Sequence, residues 1–102
     1  MRILLINPPH TAIGSRIPPE HLPPLGLLAI GGPLRDDGHD VTLLDAEIGP
    51  LSQEEIVRRV VSAQPEAILL GHSGSTSAHP TVCELTRRFR EVLPTVKVIY
   101  GG

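Results

Sequence analysis

Three short segments of this 102-residue chain carry residue types that could do chemistry. They are Asn7-Pro8-Pro9-His10, Gly71-His72-Ser73-Gly74-Ser75-Thr76-Ser77 and Gly101-Gly102. Each follows an aliphatic run that reads as a strand. The middle segment is the most site-like, because small hydroxyl residues and glycines let a ligand approach the backbone closely. The free N–H groups of the helix that follows would also attract a phosphate or another anion. A plain helix N-cap accounts for Ser77 most simply, and that role is compatible with a place in the site. Gly101 and Gly102, just past a strand, would line the crevice where open α/β sheets bind ligands. This is a chemistry of binding rather than of bond-making.

The histidines are weighed singly. His10 and His72 stand at strand ends on the binding edge, where hydrogen bonding is favoured over metal ligation because no second ligand follows at a zinc-like spacing. His39 reads as a solvent-facing turn residue, His79 as exposed near a helix start, and His21 as a loop residue without a role. No metal ligand is assigned. One cysteine, Cys83, excludes an internal disulfide and any multi-cysteine cluster held by this chain alone, and it suggests a reducing, cytoplasmic compartment.

Nucleotide-cofactor alternatives fail on specifics. A dinucleotide fold would carry G-x-G-x-x-G after the first strand, where this chain has Asn7-Pro8-Pro9-His10. Asp45 resembles a ribose-binding acid but lacks those glycines. No P-loop is present, and a receiver domain would need acids where Asn7 and His72 stand. A formal charge of −2 and an aromatic fraction of 2% give no basic footprint and no base-stacking surface, so nucleic-acid binding is excluded.

The elements that must position these segments alternate. Strands are expected at Arg2–Asn7, Asp40–Asp45, Ala67–Gly71 and 96–100, and helices at about 25–37, 53–64 and 78–93. The first, third and fourth strands are continuous aliphatic runs, as in parallel strands covered on both faces. Such alternation predicts βαβ units and a doubly wound parallel sheet of order 2-1-3-4. Ser52 and Glu55 form a capping-box pattern, followed by an apolar stripe of Ile56, Val57, Val60 and Val61. In the third helix the expected buried stripe is Val82, Leu85, Phe89, Val92 and Leu93. The first helix carries Gly26, Gly31, Gly32 and an interior Pro33, which predicts a kink or a break, with close approach to the sheet as a reason for the glycines. Between the first strand and that helix lies a connection over 8–24, far longer than an ordinary βα loop and so read as functional. A chain of this size holds one domain, with a core that must be aliphatic. No stretch is long enough to span a membrane.

The ordered set Arg2-Ile3-Leu4-Leu5-Ile6-Asn7-Pro8-Pro9, Leu22-Pro23-Pro24-Leu25-Gly26-Leu27-Leu28, Gly38-His39-Asp40-Val41, Leu44-Asp45-Ala46 and Gly101-Gly102 covers nearly the whole chain. It resembles the N-terminal cobalamin-binding domain of class B radical S-adenosylmethionine enzymes. That resemblance implies a flavodoxin-like B12 fold of strand order 2-1-3-4-5, so that the chain is expected to stop before a fifth strand and a catalytic domain. It also implies that a serine-containing loop and a Gly-Gly pair flank the cofactor's nucleotide tail. Ser73, Ser75, Thr76, Gly101 and Gly102 stand in those positions, and Asn7, Pro8, His10, His72 and Gly74 complete the candidate cofactor-binding set. Many B12 domains carry D-x-H-x-x-G in the first βα loop. Here the loop reads Pro8-Pro9-His10-Thr11-Ala12-Ile13-Gly14, without the aspartate, which implies cobalamin held without a protein histidine on cobalt.

The stretches 10–16 and 70–77 are most similar to the branch of that family that closes a fifth ring on a magnesium porphyrin ester in bacteriochlorophyll synthesis. The resemblance then implies a magnesium-porphyrin substrate for the parent enzyme, with S-adenosylmethionine and a 4Fe-4S cluster bound outside this chain. The cluster motif CxxxCxxC is absent here, so the chain alone is expected to be catalytically silent. Two other readings stand beside this one: a degenerate B12 fold that serves as a docking domain without cofactor, and a nucleotide-binding α/β protein. The last strand, left without a neighbour, is expected to promote self-association.

Overall fold

The computed structural model describes residues 1–9, 25–47, 51–71 and 79–101. The elements run β1 (Arg2–Asn7), α1 (Leu25–Asp36), β2 (Asp40–Asp45), α2 (Gln53–Ala63), β3 (Ala67–Gly71), α3 (His79–Val92) and β4 (Lys97–Gly101). The four strands form one parallel sheet of order β2-β1-β3-β4, the expected flavodoxin-like arrangement.

Side chains alternate across this sheet, and the two sets bury against different helices. Leu4, Ile6, Ile68 and Leu70 join Ile56 and Val60 of α2 and Val82, Leu85 and Phe89 of α3 in the larger core. Ile3, Leu5 and Ala67 pack with Leu27 of α1 on the opposite face. Each such fully buried aliphatic side chain contributes roughly 1.5–3 kcal/mol relative to exposure.

The helix ends follow their sequence signals. Ser52 caps α2 by accepting from the Glu55 N–H at 3.2 Å, while the Glu55 carboxylate turns forward to Arg58 and Arg59 rather than back to the cap. Gln64 ends α2 in the left-handed region, at φ 47°, ahead of Pro65. Gly38, at φ +93°, follows α1, and the N–H of His39 returns to the Leu34 carbonyl at 3.2 Å.

Several expectations are corrected. α1 is a single helix through Pro33 rather than two pieces. Its neighbour Gly32 has no Cβ for the proline ring to strike, which removes much of the usual clash with the preceding residue. Gly31 is where α1 meets the sheet: a Cβ there would stand 2.7 Å from Leu5 Cδ1. β4 starts one residue later than expected, because the N–H of Val96 bonds the Leu93 carbonyl and its side chain is buried ahead of the strand. Val61 and Val92 fall off the edges of their helical stripes and are exposed. His39 is less open than a solvent-facing turn residue: its side chain is 29% exposed, and its Nδ1 is buried without a hydrogen-bond partner among the described residues.

Candidate functional site

The register places one row of residues across the carboxyl edge of the sheet. Asn7 pairs with Asp45, and Gly71 pairs with Gly101. Ile6 pairs with Leu70, so Asn7 and Gly71, one residue further along each strand, stand level. Alternation puts Asp45, Asn7, Gly71 and Gly101 all on the α1 face, since their predecessors Leu44, Ile6 and Leu70 belong to the opposite core. With strands ~4.8 Å apart, Asn7 and Gly101 are about 10 Å from each other.

The two halves of this row differ in kind. On the β1–β2 side the polar groups are tied to one another. Asn7, 3% exposed, donates from Nδ2 to Asp45 Oδ1 at 2.9 Å, and the N–H of Glu47 reaches the same oxygen at 3.2 Å. The N–H of Ala46 bonds the Asn7 carbonyl at 3.0 Å. This sets the direction in which the chain leaves both strands. Glu47 is itself 3% exposed, a buried acid beside the site that sequence reading passed over. Its signal was an Asp-x-Glu pattern that begins on the last residue of a strand, Asp45-Ala46-Glu47.

On the β3–β4 side the row has no side chains. A Cβ on Gly71 would stand 3.1 Å from Leu27 Cδ2, so this glycine admits the first turn of α1. Gly101 is different. No described atom lies within 4 Å of the position a Cβ would take, and its φ lies outside the left-handed region. Neither packing nor backbone geometry among the described residues requires glycine there. Next to it on the same face, Ile99 is 58% exposed and Leu69 is partly buried. Together they form an open apolar floor with Leu27 at one side, a shape suited to a flat organic group.

Of the residues singled out from the sequence, Asn7, Pro8 and Gly101 are described and all lie at this edge, with the Pro8 side chain fully buried. His10, His72, Ser73, Gly74, Ser75, Thr76, Ser77 and Gly102 fall outside the described residues, as does His21. A groove of about 370 Å³ lined by Arg2, Gln64, Glu66, Thr95 and Lys97, among others, lies at the opposite, amino end of the strands. Its rim carries the exposed Arg2–Glu66 pair, 3.7 Å apart, and none of the site residues. Among the described residues no group of three or more His, Cys, Asp and Glu side chains is placed to hold a metal ion. No described helix is long and apolar enough to cross a membrane.

A family model described as the B12 binding domain matches residues 16–102. The chain belongs to the B12-binding domain family. Two curated relatives align along its whole length. One, 69% identical over 102 residues, is the anaerobic magnesium-protoporphyrin IX monomethyl ester cyclase of Synechocystis sp.. The other, 28% identical over 102 residues, is an uncharacterized methyltransferase of Pyrococcus horikoshii. This B12-binding domain spans 20% of the first relative and 22% of the second, about a fifth of each. No solved structure matches it.

Proposed function

We propose that this chain is the cobalamin-binding module of a larger radical S-adenosylmethionine enzyme. That enzyme closes the fifth ring of magnesium-protoporphyrin IX monomethyl ester in the cytoplasm. The observation that carries the binding role is Gly101, a glycine that neither φ nor packing among the described residues demands, set on an apolar floor at the carboxyl edge of a B12-family sheet. The choice of reaction is supported by 69% identity to a cyclase of that name. When bound, cobalamin supplies a cobalt centre capable of electron-transfer and organometallic chemistry that side chains lack.

What the chain's own residues do is bind and orient. Gly101 and Gly102 would line the cofactor's tail, while Asn7 and Pro8, both buried, would hold the β1 end of the edge rigid, Asn7 through its bond to Asp45. Ser73, Gly74, Ser75 and Thr76 would offer hydroxyl and backbone contacts, with His10 and His72 at the same edge. S-adenosylmethionine, the 4Fe-4S cluster and the porphyrin substrate would bind other parts of the enzyme, leaving this domain without catalytic residues.

Titration with hydroxocobalamin tests the reading. Saturable heat and a change in the cobalamin absorption spectrum are expected. Silence at millimolar ligand would leave the docking-domain reading, and stoichiometric cobalt in the full-length protein purified from its host would exclude that alternative.

A further inference from the structure

The three helices differ in what they show to solvent. The exposed residues of α2 include Glu54, Arg58 and Arg59, and those of α3 include Arg87, Arg90 and Glu91. Ion pairs run along both helices, from Arg58 and Arg59 to Glu55 and from Arg87 to Glu84 and Glu91. That is the ordinary charged face of a solvated helix. α1 is built otherwise. From Gly26 to Leu34 it holds no charged residue, and while Leu27 and Gly31 are buried, Leu28, Ala29, Ile30 and Pro33 are exposed. Leu28 is 46% exposed and Ile30 48%. Between those two around the helix axis lie Gly26, Ala29 and Pro33, and a Cβ on Gly26 would meet nothing within 4 Å. A helix that is apolar all round is one that is covered all round.

Size and chain length decide what covers it. With 12 residues, α1 presents a face about 18 Å long and about 10 Å wide, on the order of 200 Å². A stable complex of free partners needs roughly 800 Å² a side, so this face is too small to hold a second copy alone. A partner joined through the same polypeptide needs far less, because tethering places it at an effective concentration of about millimolar. The chain spans 20% and 22% of its two curated relatives, so most of each relative lies outside the matched region.

We propose that the outward face of α1, centred on Leu28 and Ile30, docks this domain onto the remainder of its own larger polypeptide. The surface it meets there is uncharged and apolar, since a charged one would bury its charge against leucine and isoleucine without a partner. This rests on the reading of the chain as one module of a larger enzyme, and not on cobalamin being bound.

Hydroxyl-radical footprinting of the full-length protein tests the contact. Val61 and Val92, 39% and 41% exposed on α2 and α3, are the internal references. After correction for intrinsic reactivity, Leu28 and Ile30 should be oxidised about fivefold less than these valines, the ratio of a half-exposed side chain to one nine-tenths buried. Equal oxidation would overturn the contact. Protection lost on dilution from micromolar to nanomolar protein would assign the face to a second copy and overturn it as well. Leu28→Glu, which presses a carboxylate into the contact, should restore oxidation of Ile30, and continued protection of Ile30 would count against docking through this face. Cobalt content of the same sample reads the cofactor separately: stoichiometric cobalt beside fully oxidised Leu28 and Ile30 would sink the contact and leave cobalamin binding standing.

Discussion

Gly101→Ala separates the two reasons a strand can carry glycine. If the fold required it, alanine would destabilise; if a ligand requires it, alanine should leave the fold sound and damage binding. The space that the added methyl would enter is open and φ is ordinary, so the substitution should stabilise by limiting the unfolded chain, by about 0.4–1 kcal/mol. For a domain of this size that raises Tm by roughly 2–8 °C. Gly71→Ala is the control on the neighbouring strand. The same gain is offset there by overpacking of about 1 kcal/mol, because the new Cβ meets buried Leu27 at 3.1 Å. Gly71→Ala should therefore sit at or below wild-type stability, with Gly101→Ala above it.

The binding arm runs the other way for Gly101. Its methyl would stand on the open floor and hold a flat ring off the sheet, weakening cobalamin tenfold or more, about 1.4 kcal/mol. Thermal unfolding followed by circular dichroism and hydroxocobalamin titration give both numbers from one preparation. A Gly101→Ala variant less stable than wild type would show that the fold itself needs this glycine. A stable variant with undiminished cobalamin affinity would show that the floor is not the cofactor's. Either result refutes the reasoning.

Asn7→Asp would set a second carboxylate against Asp45 at a bond now 2.9 Å long. It should cost roughly 1–3 kcal/mol at neutral pH. Because the repulsion raises a carboxyl pKa in the folded state, stability should recover as pH falls, which urea titrations at two pH values would read. Glu84 titrates below its ordinary value, chiefly through its hydrogen bond from Arg87, which outweighs an opposing loss of solvation, with the charges of Arg87 and then Arg88 adding lesser lowering effects. Its ionised form therefore favours the fold above the unfolded carboxyl pKa, and that contribution fades as pH falls through the lowered folded value. Arg87→Gln should raise the Glu84 carboxyl pKa, measured by carbon NMR, and a pKa unmoved would contradict the assignment of its cause. β4 pairs with β3 alone among the described residues and shows Ile99 at 58% exposure, so the 102-residue chain should associate with rising concentration. A monodisperse monomer across the range in sedimentation velocity would contradict this.

The sheet was legible in the sequence because its strands are aliphatic runs bounded by turn and helix signals. The bounds of β1, β2 and β3 fall where the pattern puts them. What periodicity could not supply was partnership across the fold. Val96 looks like a strand residue but bonds back to Leu93, a turn that hydrophobicity cannot register. Val61 and Val92 match a helical stripe in type yet miss the face that meets the sheet, which depends on the angle at which each helix docks. Pro33 predicted a kink or a break from its own propensity, whereas α1 runs as one helix from Leu25 to Asp36, with Gly32 ahead of the proline offering no Cβ to clash.

The same distinction explains the site. Asn7 and Asp45 are 38 residues apart, and nothing local in either predicts the bond between them. Parallel register does, once β1 and β2 are aligned from their first residues, because both strands are six residues long and end level. That bond fills the β1–β2 end with satisfied polar groups, so a ligand gains little by competing there. The β3–β4 end offers the opposite surface, glycine backbone beside partly buried Leu69 and exposed Ile99, where burying apolar area would be the gain on binding. On the proposed reading, a flat cofactor would be steered to one half of the edge by what the other half has already bonded. The specificity of the crevice would then lie as much in the closed Asn7–Asp45 pair as in the open Gly101.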